Sequence, residues 1–181
     1  GVTSGMAAAI AAARNGASVT ILERNDRVGK KLLMTGNGKC NFGNTDLTTQ
    51  MYYSDDVDFV RESLERFGSK ESIRFFQSLG LMVKDKNGYL YPYNMQASSV
   101  LDAFRRRLSE TGADIRTGCE VTDIAPNCGS KRQFRLHIKE SESGVERVGE
   151  RESQGVAEFW GVNQAVQERR QSFSQIGSSL F

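Results

Sequence analysis

The chain has 181 residues, of which 38% are hydrophobic and 25% charged, enough for one ordinary domain with part of its length left polar. Its 24 basic and 22 acidic residues leave a net charge of +2, so bulk electrostatics select neither nucleic acid nor an acidic partner. Three cysteines without a CxxC pair and a single histidine argue against a disulfide framework and a zinc site, and reduced thiols suit a cytoplasmic protein.

No apolar run reaches the roughly 18 residues of a membrane span. The alanine-rich stretch at residues 6–13 is short and has no basic segment before it, so it is not read as a signal peptide. It reads instead as a helix over residues 6–14, because alanine is the strongest helix former and Asn15-Gly16 supplies a stop. Residues 18–22, Ser-Val-Thr-Ile-Leu, then form a β-rich run that ends at Glu23. Such a run suits a strand buried on both faces of a parallel sheet.

A glycine turn, a helix, a strand and a terminal carboxylate make the second half of a dinucleotide fingerprint. Glu23 lies 18 positions after Gly5, close to the spacing of about 20 in such units. The free N–H groups of a helix start at Ser4-Gly5 face a pyrophosphate, and the carboxylate accepts hydrogen bonds from ribose hydroxyls. Two features depart from the fingerprint. With its last glycine at Gly5, the middle position falls on Val2, whose Cβ blocks close backbone approach, and no first strand precedes the helix.

The next stretch carries Lys30 and Lys31, then Thr35-Gly36-Asn37-Gly38-Lys39-Cys40-Asn41. Gly29, Gly36 and Gly38 let backbone amides turn toward an anion, and the lysines add positive charge. Gly-Asn-Gly is also an ordinary hairpin turn. For Cys40, nearby lysines and amides would lower the thiol pKa, but without a partner cysteine a packing role is favoured.

In these residues the chain resembles the BaiN-like, or aminoacetone-oxidase-family, FAD-binding flavoproteins. The resemblance rests on residues 4–10, on Ile21-Leu22-Glu23-Arg24, on Gly29-Lys30-Lys31-Leu32-Leu33 and most strongly on residues 35–41, where the family typically has arginine in place of Lys39. It implies an α/β, incomplete Rossmann-like FAD-binding domain: a parallel sheet with flanking helices and a small β-hairpin element. It further implies Glu23, with Arg24 beside it, on the FAD ribose. Ser4 and Gly5 would meet the pyrophosphate, and Lys30, Lys31, Thr35, Gly36, Asn37, Gly38, Cys40 and Asn41 would lie alongside the flavin. A residue equivalent to Val121 would hold the adenine through its backbone. The expected activity is an FAD-dependent, NAD(P)H-linked oxidoreductase acting on a small molecule, with no nucleic-acid or membrane partner and no metal. No catalytic acid, base or nucleophile announces itself, and the oligomeric state is not legible.

Downstream, residues 57–67 and 69–79 read as two amphipathic helices, with Val57, Val60, Leu64 and Phe67 on one face and Ile73, Phe76 and Leu79 on another. Residues 81–86 and 89–91 pair across Asn87-Gly88, a strong hairpin signal, and the Tyr89-Leu90-Tyr91-Pro92 cluster is read as core. Ser98 or Ser99 is expected to cap a helix through Leu108, with Arg105, Arg106 and Arg107 on its solvated side. Residues 113–117 read as a parallel strand, 119–124 as its successor, and 133–139 as an antiparallel strand with Phe134, Leu136 and Ile138 inward and His137 on the polar side.

Beyond Lys139 the pattern stops. Residues 140–181 are read as a polar, poorly patterned segment, disordered or weakly helical over residues 156–170, after a partial FAD-binding domain at residues 1–139. The alternative to an active oxidoreductase is therefore a truncated, non-catalytic fragment that does not hold FAD stably.

Overall fold

A computed structural model describes residues 3–126, 134–142 and 145–153. Helix α1 (Thr3–Arg14) leads to strand β1 (Thr20–Glu23), a 3₁₀ segment (Lys30–Gly38), the short strand β2 (Gly43–Asn44) and a 3₁₀ turn (Thr49–Met51). Helices α2 (Val57–Arg66) and α3 (Ser69–Ser78) follow, then β3 (Val83–Lys86), β4 (Tyr89–Pro92) and α4 (Ala97–Thr111). Strands β5 (Asp114–Thr117), β6 (Cys119–Pro126), β7 (Phe134–Glu142) and β8 (Val145–Ser153) complete the order.

The fold is α/β with a parallel pair flanked by helices, as expected; the expected hairpin lies in one small antiparallel sheet, and a second antiparallel sheet follows it. β1 and β5 pair in parallel with Thr20 opposite Asp114 and Glu23 opposite Thr117. A right-handed crossover is the usual way to join such neighbours, and here the long connection contains the hairpin sheet β2-β4-β3. The β3–β4 hairpin turns at Asn87-Gly88, both at positive φ (55° and 85°), the conformation a two-residue turn requires.

One core joins these parts. Met6 and Ile10 of α1, Ile21 of β1, Leu32 of the 3₁₀ segment, Phe76 of α3, and Leu101 and Phe104 of α4 all belong to it. Burying a side chain of this size contributes about 1.5–3 kcal/mol relative to leaving it exposed. Phe76 stacks on Phe42 with centroids 4.0 Å apart and meets Phe104 edge-on at 6.1 Å, so the loop after the 3₁₀ segment is clamped to both helices.

Several expectations are corrected. Neither Ser98 nor Ser99 caps α4: the helix begins at Ala97 after Gln96, and the turn is closed by Asn94, whose Oδ1 accepts from Gln96 N while its Nδ2 donates to Ser99 Oγ. The three arginines are more than a solvated face. Arg105 donates to the Val28 carbonyl, Arg106 to that of Leu79 and Arg107 to that of Ser78, each satisfying an oxygen at the end of a neighbouring element.

On α2, Asp56 caps the helix by accepting from Phe59 N at 2.9 Å, but Val57 and Phe67 stay exposed and only Val60 and Leu64 are half-buried. Past Lys139, where no strand was expected, β8 pairs antiparallel with β7 along its whole length. Its sequence, VERVGERES, has too few apolar residues for burial to announce it; the backbone ladder with β7 provides the pairing. The helix expected within residues 156–170 lies outside the described residues.

Candidate functional site

The candidate site sits at the C-terminal edge of the β1–β5 pair, where ligands bind in open α/β sheets. A short turn joins α1 to β1, so the two run in opposite directions and the start of α1 lies at the same edge as Glu23. The helix begins earlier than the alanine run implied, at Thr3, which places Ser4 and Gly5 within its first turn. No acidic side chain stands in that turn. Among the described residues of the helix, then, no acidic side chain of its own first turn offsets the positive end of its dipole. A Cβ built on Gly5 would meet nothing within 4 Å, so the space beside this turn is open to a ligand.

Glu23 ends β1 and is a buried carboxylate, 5% exposed. Leaving an ionised carboxylate in such a place costs several kcal/mol without hydrogen-bond donors. Asn25 provides two: its backbone N–H lies 2.9 Å from Glu23 Oε1 and its Nδ2 2.6 Å from the same oxygen. The Asn25 carbonyl in turn accepts from Gly118 N at 3.1 Å, tying the end of β1 to the β5–β6 turn. Arg24 points to the surface and meets Glu120 Oε1 at 3.4 Å, a contact that brings β6 alongside.

Val121 follows on β6, half-buried, opposite Ile138. The register between β6 and β7 shifts between Val121 and Asp123, a β-bulge at Thr122. Bulges interrupt the ladder and bend the strand, and this one falls beside the residue expected to offer its backbone to an adenine.

The 3₁₀ segment supplies the third wall. It is no hairpin at Gly-Asn-Gly. Two 3₁₀ turns meet across a kink at Thr35, Gly36 and Asn37. Gly29, Gly36, Asn37, Gly38 and Cys40 all have positive φ, between 53° and 80°. Asn37 and Cys40 adopt this conformation at a cost glycine avoids, and such strain clusters at functional loops.

At its start the segment presses on α1 and α4. A Cβ on Gly29 would stand 2.3 Å from Leu101 Cδ1 and 3.2 Å from Met6 Cε, so only glycine admits this approach. Thr35 Oγ1 donates to the Leu32 carbonyl at 2.6 Å, and Lys39 and Cys40 N–H groups return to the Gly36 and Thr35 carbonyls.

Within this wall the predicted residues divide. Lys30 forms an ion pair with Asp26, which holds that exposed carboxyl below its usual range by hydrogen bonding and reduces the charge Lys30 offers elsewhere. Lys31 and Lys39 are exposed. Cys40 is buried, and burial pushes its thiol above the ordinary value while a Thr35 hydrogen bond pulls the other way. Desolvation thus outweighs that hydrogen bond. Asn41 turns its Oδ1 to Gly43 N and starts the run into β2.

Asn41 also borders an open cleft of about 390 Å³, lined by Phe42, Tyr52, Phe67, Ser69 and Tyr89. Tyr89 is half-exposed there, so of the aromatic cluster only Leu90 and Pro92 are fully buried and the core reading fails for Tyr89.

Sequence reasoning missed Asn25 and the anchoring of Gly29 by Leu101 and Arg105. The first was readable in part, since asparagine two residues past a strand end is a turn former. The second joins residues more than 70 positions apart and left no local signal.

Residues 1–148 match the HI0933-like protein Rossmann domain. Over 123 residues the chain is 45% identical to a 3-dehydro-bile acid delta(4,6)-reductase of Clostridium scindens, covering 67% of this chain and 30% of that protein. Over 122 residues it is 29% identical to the ribosomal RNA dihydrouridine synthase of Haemophilus influenzae, again 67% of this chain and 30% of the relative. The Escherichia coli protein of the same name is 25% identical over 146 residues, 80% of this chain and 36% of its own. The chain thus spans about a third of the length of these curated relatives. Among solved structures, THI4 of Thermovibrio ammonificans superposes with a TM-score of 0.47 at 19% identity, over 76% of this chain and 44% of that one. The resemblance read from the Thr35–Asn41 run and its neighbours is borne out: the chain belongs to the HI0933-like protein Rossmann-domain family.

Proposed function

We propose that this chain is the FAD-binding portion of an oxidoreductase that draws electrons from NAD(P)H and delivers them to a small-molecule substrate. The observation that supports the reading is the buried Glu23 carboxylate at the end of β1, together with an α1 first turn that has open space at Gly5 and a loop whose Gly29 packs against Met6 of α1. These residues fit a dinucleotide. The open space at Gly5 and the N–H groups of the α1 first turn suit a pyrophosphate, and the acceptor at Glu23 suits ribose hydroxyls.

FAD, when bound, would supply the two-electron redox chemistry. The chain's own residues would bind, orient and desolvate it. Ser4 and Gly5 would present backbone N–H groups to the phosphates, and Glu23 would take the adenosine ribose. The backbone of Val121 would meet the adenine, while Lys31, Thr35, Gly36, Asn37, Gly38 and Asn41 would hold the flavin. Cys40 packs beneath that loop and takes no part in electron transfer. Arg24 steers β6 against the end of β1 without touching the ribose.

Two relatives, one named as a reductase and the other as a dihydrouridine synthase, are both named for chemistry that adds hydrogen. We read the substrate here as a small molecule rather than RNA, because the 45% identical relative is named for a bile acid and the net charge of +2 offers little attraction to a polyanion. A cytoplasmic site of action belongs to the same reading.

The test is titration of the purified chain with FAD, followed by flavin absorbance and fluorescence quenching. Binding in the micromolar range is expected, weakened about tenfold or more by Glu23→Gln, since a charge-assisted hydrogen bond is worth about 1.5–3 kcal/mol. No binding at tens of micromolar FAD would sink the reading in favour of a non-catalytic fragment. Retained binding by Glu23→Gln would remove the carboxylate from the site.

A further inference from the structure

We infer that Asn25 is a positioning residue for cofactor binding: by placing its main-chain and side-chain N–H groups together on Glu23 Oε1, it fixes the carboxylate in the orientation that meets the adenosine ribose. The inference rests on the FAD reading above and concerns a residue that no sequence pattern singled out.

Three observations carry it. Both donors converge on one oxygen, at 2.9 Å from the backbone and 2.6 Å from the amide. The amide distance is that of a charge-assisted bond, among the stronger in proteins. Glu23 is 5% exposed, so water cannot replace a lost donor cheaply. Asn25 is itself held from the far side of the edge, because Gly118, at φ 68° in the β5–β6 turn, donates to its carbonyl. Through Asn25, the end of β1 and the β5–β6 turn thus both bear on Glu23 Oε1.

A glutamate side chain with free rotamers must be ordered when the ribose arrives, and that ordering subtracts from affinity. Asn25 settles the order in advance. Arg24 and Asp26, its neighbours, point elsewhere, to Glu120 and Lys30. The backbone half of the clamp survives most substitutions, whereas the amide half does not.

Asn25→Ala removes the amide and is expected to weaken FAD binding about tenfold by fluorescence titration. Asn25→Asp keeps the shape and the backbone donor but sets a second carboxylate against Glu23, and is expected to lose at least as much. Because the effect runs through Glu23, Asn25→Ala should add little in a Glu23→Gln background. Competition by ADP should weaken in Asn25→Ala, whereas competition by 2′,3′-dideoxy-ADP should be unchanged. Thermal unfolding of each variant without ligand monitors folding, and Asn25 is exposed enough that shifts of only a few degrees are expected.

Unchanged FAD affinity in Asn25→Ala, with Glu23→Gln impaired, overturns the inference and leaves the FAD reading standing. Equal losses for ADP and its dideoxy analogue, or additive losses in the double variant, also overturn it, since they mark a general loosening. Unimpaired Glu23→Gln, or a parent chain that does not bind FAD, overturns the reading and the inference with it.

Discussion

Cys40 shows how position decides the chemistry of a residue. In the sequence it stands among lysines and glycines, surroundings that favour a thiolate. In the fold it is 5% exposed beneath the loop, with φ at 54°, and burial raises its pKa above the ordinary value of 9.0. The folded state therefore holds the proton more tightly than the unfolded one. The stability this adds is fully present below about pH 9 and is lost as the pH rises through the folded value. Cys40 is expected to react with a thiol reagent at neutral pH far more slowly than a free cysteine, and to gain reactivity on unfolding, measured by absorbance of the released thiolate. Rapid labelling of the folded chain at Cys40, identified by mass spectrometry, would contradict its packing role.

At the scale of elements, α4 organises the 3₁₀ loop. Leu101 lies against the Cα of Gly29, Leu32 is buried beside it, and Arg105 takes the Val28 carbonyl, so one helix face sets where the loop begins. Gly29→Ala would force a Cβ onto Leu101 and hold alanine at φ 80°. We expect a loss of about 2–4 kcal/mol in urea unfolding, from the left-handed conformation and the overpacking together. FAD binding should weaken in parallel. Gly38→Ala, where φ is also positive but no atom lies within 4 Å, should cost less, about 1–2 kcal/mol. Equal losses at the two positions would show that backbone strain alone, without the α4 contact, sets the cost.

Over the whole molecule, the apolar surface is unevenly covered. The core joins α1, α3, α4 and the loop, whereas α2 has no fully buried residue and Phe59 and Phe67 stay more than half exposed. Exposed aromatic side chains favour association in water when they gather into a patch. Phe59→Lys is expected to raise the concentration at which the chain stays monomeric in sedimentation velocity. It should change unfolding stability by no more than about 0.5 kcal/mol, as is usual for surface sites. A loss of several kcal/mol would show that Phe59 packs inward.

Much of this was written locally. The alanine run of α1, the β-rich residues before Glu23, Asn87-Gly88 and the apolar spacing of α4 each specify an element through propensity, turn geometry or period. The Thr35–Asn41 run identified the lineage because its combination of glycines and polar side chains is specific. What the sequence could not announce depended on distant partners. β8 lacks apolar alternation and exists through its ladder to β7. Arg105 to Arg107 read as solvated until the carbonyls of Val28, Ser78 and Leu79 were placed against them. By itself, then, the sequence determined the α/β class, the βα order around Glu23 and the family. Only the tertiary structure decided that Cys40 is desolvated, that Asn25 and Gly118 clamp the end of β1, and that α4 seats the loop at Gly29. Burial and hydrogen-bond pairing between distant segments arise from the packed chain, and no local pattern of residues encodes them.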